Sequence, residues 1–195
     1  MAGFQSVSAV GRSLQRLLQL RLAEEQPIGG SSTGVAILRT EDFEPNNFAA
    51  LVSRPALTLF LYRVDFNKTM RAAWSGVGVA DGRAHLALDL HFLLTAWADN
   101  AENEHLILGR ALQAIEQTPI LSGPLMMIAS DWAASESLQL VMEDIDTEAL
   151  MRIFDSLPVD YRLSVPYVAR VVRIDSARVP SEPPVMTAVG GARPQ

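Results

Sequence analysis

The chain has 195 residues, enough for one domain, and its 49% hydrophobic and 19% charged content is that of a globular protein, which excludes global disorder. A net charge of -6 without any basic run gives nucleic-acid binding no electrostatic footprint, and the absence of cysteine excludes disulfides, thiolate metal sites and cysteine nucleophiles. No apolar stretch approaches the ~20 residues of a membrane helix, and Met1 to Leu20 carries Gln, Ser and Arg where a secretory signal would be apolar, so neither membrane insertion nor general secretion is expected.

The spacing of Val7, Val10, Leu14, Leu17 and Leu18 predicts an amphipathic helix over Phe4 to Glu24, ended by Pro27 and the loop Gly29 to Gly34. Its apolar face packs either on its own sheet or on a neighbouring subunit. Val35 to Leu38 reads as a short strand. Leu57 to Phe66, rich in β-branched and aromatic residues, reads as a longer one, followed by a glycine-bearing connection from Ser75 to Gly82. His85 to Trp97 begins by alternation, with Leu86, Leu88, Leu90 and Phe92 on one face and His85, Ala87, Asp89 and His91 on the other.

Asp99 followed by Glu102 marks a helix start, and the helix runs to about Gln117 with a stripe of Leu106, Ile107, Leu108, Ala111, Leu112 and Ile115. Leu121 to Ala134 is ambiguous, broken by Gly123 and Pro124 yet apolar after them. Leu138 to Met142 reads as a strand, and Asp146 caps a short helix through Phe154. Tyr161 to Ile174 alternates again. Leu163, Val165, Tyr167, Ala169, Val171 and Arg173 form one side, opposite Arg162, Ser164, Pro166, Val168, Arg170 and Val172. Pro166 within that run calls for an edge position or a bulge. From Ser176 onward, Pro180, Pro183, Pro184 and Pro194 with Gly190 and Gly191 predict a flexible arm. The expectation is a single layered α+β domain over residues 1–175, with a mixed or antiparallel sheet flanked by helices, and an arm over residues 176–195.

Catalytic signatures are absent. Gly29 to Gly34 has the spacing of a phosphate-binding loop, but Val35 and Ala36 stand where Lys and Ser/Thr are required. Gly76, Gly78 and Gly82 do not fit the dinucleotide fingerprint, and no nucleophile elbow surrounds a serine. The one constellation with chemical potential is His85, Asp89 and His91, whose shared strand face offers two imidazoles and a carboxylate, with Glu104 and His105 able to join from the following helix. A half-polar strand face needs only solvent or a partner's polar surface, and that simpler reading carries more weight. Phe60, Tyr62, Phe66, Phe92 and Trp97 fall in strands and read as core, since no basic groove interleaves them.

Three stretches carry a family resemblance in their order and spacing. They are Leu57-Thr58-Leu59-Phe60-Leu61-Tyr62-Arg63-Val64, then Leu88 to Trp97, then Tyr161 to Val165 leading into Ala169 to Asp175. Glu104-His105, Leu108 to Leu112, Pro119 and Leu121-Ser122 lie between them. Over roughly residues 5 to 175 the chain resembles the cap, or tail-terminator, proteins of extracellular contractile injection systems of the antifeeding-prophage type. Beside that family, the loop Val77 to Arg83 is short and poor in proline.

The resemblance implies a structural subunit and no enzyme. Such caps form a six-fold homomeric ring on the distal end of the inner tube, contact the last sheath ring and stop tube growth. No cofactor, metal or catalytic residue belongs to that task. The implied partners are further copies of the chain, the tube protein and the sheath protein. The implied setting is a particle assembled in the bacterial cytoplasm and either kept there or released. Candidate contact residues, chosen by position and chemistry, are Asp89, His91, Glu104, His105, Arg162, Arg170 and Ser176. The alternatives are a baseplate or tube-initiating adaptor of the same machine, and a small metal-dependent enzyme using His85, Asp89 and His91.

Overall fold

One mixed six-stranded sheet organises the chain. The structure, a computed structural model, describes residues 3–70, 85–126, 132 and 136–176. In chain order the elements are α1 (Ser6–Glu24), β1 (Gly34–Leu38), a 3-10 turn (Thr40–Phe43), α2 (Pro45–Leu51), β2 (Ala56–Phe66), β3 (His85–Trp97), α3 (Ala101–Gln117), β4 (Ile120–Ser122), a second 3-10 turn (Gly123–Leu125), β5 (Ser137–Met142), α4 (Thr147–Asp155) and β6 (Ser164–Asp175). The strand order is β1-β2-β3-β6-β5-β4. β1 and β2 run parallel, and every other neighbouring pair is antiparallel. This is the expected α+β layered domain. The expected connection over Ser75 to Gly82, the loop Val77 to Arg83, much of the ambiguous stretch before Ala134 and the arm beyond Ser176 lie outside the described residues.

The first face of the sheet is covered by α1 and α3. Val10, Leu14, Leu17, Leu18 and Leu22 are buried at the predicted helical spacing. They pack with Leu57, Leu59, Leu90, Phe92 and Leu94 of the sheet and with Ile107, Leu108, Ala111 and Ile115 of α3. The apolar face of α1 therefore packs on its own sheet. α3 starts one residue later than the sequence suggests, because the side chain of Asn100, not Asp99, accepts the backbone N–H of Asn103 at 2.9 Å. Its buried stripe also turns slightly from the expected one. Leu106 is 46% exposed, and Ala114 is buried instead.

The second face is covered over only part of its area. Leu93 and Trp97 of β3 join Leu38, Phe43, Val52, Phe60, Phe154 and Leu157 in a smaller core beneath α2, α4 and the first 3-10 turn. Phe48 lies 4.3 Å, centroid to centroid, from the tilted ring of Trp97, and Phe43 meets Phe60 edge to face at 5.4 Å. A chain of buried hydroxyls serves the polar atoms there. Trp97 Nε1 donates to Thr58 Oγ1 at 2.9 Å, and Thr95 Oγ1 bonds Ser164 Oγ at 2.7 Å.

Two bulges interrupt the alternation. In β2 the register shifts between Leu61 and Arg63. In the pairing of β3 with β6, Leu88 faces Val172 whereas Leu90 faces Ala169. An extra residue on one strand reverses which face all later side chains occupy. The strict alternation expected for Tyr161 to Ile174 therefore holds only to Ala169. Beyond it Val172 enters the first core, and Arg173 moves to the second face. Pro166 sits in an interior strand, not an edge strand. It stands at the last rung toward β5, where its carbonyl accepts the N–H of Glu143 at 3.0 Å.

These contacts give a direct test of the core. Ile107→Ala should cost about 2 to 5 kcal/mol of unfolding free energy, whereas Leu106→Ala, one residue earlier, should stay within about 0.5 kcal/mol of wild type by chemical denaturation.

Candidate functional site: a polar cluster on the second face

The bulge in β2 places Tyr62 and Arg63 together beside His91 of β3. Glu143, the first residue after β5, reaches the same point. Tyr62 Oη donates to Glu143 Oε2 at 2.7 Å, Arg63 Nη2 donates to Oε1 at 2.6 Å, and His91 Nδ1 lies 2.8 Å from Oε2. Arg63 Nε also pairs with Asp65 at 3.0 Å, and His91 Nε2 stands 3.4 Å from the same carboxylate. The imidazole is 6% exposed, so its contacts are internal.

The electrostatics follow from that geometry. Burial pushes the Glu143 carboxyl upward. The hydrogen bonds from Tyr62 and His91 and the nearby guanidinium of Arg63 outweigh it and hold the group below the ordinary glutamate range. Burial, then the bond to Glu143, raises the Tyr62 phenol well above its usual value, so it remains a neutral donor. Tyr167 shows the same effect on the first face, where burial and the Glu116 carboxylate push it up to about 12.

His85, Asp89 and His91 do share the second face, as the alternation predicts, but each has its own partner. His85 Nδ1 lies 2.7 Å from Asp175 Oδ1, and Arg173 Nε pairs with that same oxygen at 2.8 Å. Asp89 accepts both hydrogen bonds of the Asn67 amide, at 3.0 and 3.1 Å. Asn67 in turn caps the next turn by accepting the N–H of Met70. The three side chains are thus engaged by three separate partners along the strand. Among the described residues no group of three His, Asp or Glu side chains could hold a metal ion.

The other predicted contact residues are spread over the molecule. Glu104 and Arg162 are brought together at 3.5 Å, and the guanidinium of Arg162 lies 5.3 Å over the ring of Trp97. His105 is exposed on α3. Arg170 is exposed at the β6 bulge, its Nε donating to Gln139 at 3.4 Å, and Ser176 is half-buried just past β6. Sequence reasoning missed Tyr62, Arg63, Asp65 and Glu143. A signal for the first three was present. Apolar residues occupy odd positions through Leu61 and even positions at Val64 and Phe66, which is how a bulge appears in sequence. Glu143 has no comparable signal, since its partners lie 52 to 81 residues earlier.

The profile of the Pvc16 N-terminal domain family matches residues 9–188. The chain belongs to that family. Its members' fold is also seen in solved structures. A sheath/tube terminator of an extracellular contractile injection system of the PVC type, in the extended state, aligns over 97% of this chain at 19% identity with a TM-score of 0.57. The tube-terminating cap of the anti-feeding prophage aligns over 95% at 18% identity with a TM-score of 0.58. The chain spans 63% and 61% of the lengths of those two proteins. Among curated proteins, none matches the chain by sequence.

Glu143 makes acid sensitivity measurable. Its lowered folded value means that the unfolded chain takes up the proton first as pH falls. Its contribution is complete above the ordinary glutamate value of about 4.3 and is lost as pH drops through the lower folded value. Thermal melts from neutral pH into the acid range should show Glu143→Gln losing less stability than wild type. Glu143→Ala at neutral pH should cost about 2 kcal/mol, because it orphans the half-buried Tyr62 hydroxyl and the His91 ring. Parallel acid limbs for Glu143→Gln and wild type would contradict the assignment.

Proposed function

We propose that this chain is the cap of a contractile injection particle, a non-enzymatic subunit that forms a six-fold ring on the distal end of the inner tube, ends tube growth and holds the last sheath ring. The observation that carries this reading is the match to the Pvc16 N-terminal domain over most of the chain, joined to a fold shared with two tube terminators along nearly all of its length.

The physical demands of capping suit the architecture. Head-to-tail stacking of tube subunits always leaves a docking face, so growth stops only when the last ring fails to reproduce it. A sheet with unlike faces and unlike edges meets that demand. In this reading residues 1–175 form the ring body and the segment from 176 is an arm that reaches a neighbour or the sheath. Glu104, His105, Arg162, Arg170 and Ser176 supply contacts to neighbouring copies, tube or sheath. Asp89 and His91 act from within, by fixing Asn67 and Glu143. Six weak contacts add up to firm attachment through effective concentration. The particle assembles in the bacterial cytoplasm, and among the described residues no helix is long and apolar enough to cross a membrane.

Electron microscopy of particles from a strain lacking the gene tests the reading. The expected result is tubes of irregular length, or sheaths detached at the distal end, with normal length restored by the gene in trans. Particles of normal length with intact distal ends would overturn it. Gold-labelled antibody found at the baseplate would place the protein in an adaptor instead.

A further inference from the structure

α1 on the first face and the segment between β5 and β6 on the second carry opposite charge. α1 contains Arg12, Arg16 and Arg21 and no acidic residue before Glu24. Arg12 and Arg16 are both exposed, with exposed Leu20 on the same helix and exposed Phe4 just before it. The segment from Glu143 to Asp160, which includes α4, is the reverse. Asp144, Asp146, Glu148, Asp155 and Asp160 are exposed, Arg152 is its only base, and that base already pairs with Glu148 at 2.6 Å. Met151 is 48% exposed among them.

Their positions are complementary too. α1 packs on the first face toward β1, where Gln15 Nε2 donates to the Val35 carbonyl at 2.8 Å. That bond also occupies an acceptor on the outer edge of β1, which works against a simple strand-to-strand contact there. The acidic segment packs on the second face, where its Phe154 and Leu157 join Leu38 of β1, Phe60 of β2 and Trp97 of β3. The basic and partly apolar patch on one face is the complement of the acidic and partly apolar patch on the other. It can pair with the unlike patch of the next copy, the overlap that closes a ring.

We propose that copies of this chain join head to tail, the outer face of α1 on one copy meeting the outer face of the Asp144–Asp160 segment on the next. This rests on the ring reading above and names its contact. The partner is a second copy, selected by opposite charge around exposed Leu20 and Met151.

The absence of cysteine makes the contact easy to trap. Exposed Ser8, one turn before Arg12, and exposed Ala149, on α4, are replaced in one chain (Ser8→Cys with Ala149→Cys), and assembled particles are treated with a short bismaleimide. The expected product is a ladder of linked chains, while neither single substitution alone gives one. Adding Arg12→Glu and Arg16→Glu should reduce the ladder about tenfold, and combining these with Asp144→Arg and Glu148→Arg should restore it. Antibody labelling of the same particles locates the chain. Protein at the tube end with no ladder, or a ladder indifferent to charge reversal, overturns this contact and leaves the cap reading standing. Protein missing from the tube end overturns the cap reading and this contact with it.

Discussion

A strand of thirteen residues with a neighbour on each edge has its backbone groups committed, so the rest of the chain is arranged on its two faces. β3 is that strand. Its even-numbered residues Leu90, Phe92 and Leu94 anchor the larger core under α1 and α3, and its odd-numbered residues Leu93 and Trp97 anchor the smaller one under α2 and α4. Covering both faces at one end and only one face at the other divides β3 into an apolar half and a half that carries His85, Asp89 and His91. The polar half follows from the reach of the covering helices.

The bulges turn that division into a working surface. Without the shift at Tyr62, Arg63 and Asp65 would point into the face that holds Leu57 and Leu59, where a guanidinium would be buried without a partner. With it, they meet His91, and Glu143 completes the set from the far side of β6. Glu143 stands between β5 and α4, so the cluster ties the turn that launches the second layer to β2 and β3. The same bonds that lower its carboxyl make its protonation costly to the fold, which couples one surface loop to the acid stability of the whole domain.

The chain separates its charge between the two faces of the sheet. Basic residues gather on α1 over one face, and acidic ones gather between β5 and β6 over the other. A net charge of -6 says nothing of that separation. The histidines that looked most like chemistry in the sequence are taken up in holding strands, loops and carboxylates in place, a use that a half-buried polar face makes of residues with two ring nitrogens.

Local sequence placed α1, β1, β2, β5 and α4 to within two residues, with the cap Asp146 and the two faces of β3 as far as Phe92, because burial on one side forces a repeat and a helix start needs a cap. Family resemblance in the order of motifs pointed to the family whose profile matches residues 9–188. What sequence left open were relations between distant segments. The interior place of β6, the change of face after Ala169, the exposure of Leu106 and the meeting of Glu143 with Arg63 depend on which strands become neighbours and where a bulge falls between them. Local patterns fix which side of an element is apolar. Only tertiary packing decides what each side meets, because that choice is made by pairing and coverage across tens of residues.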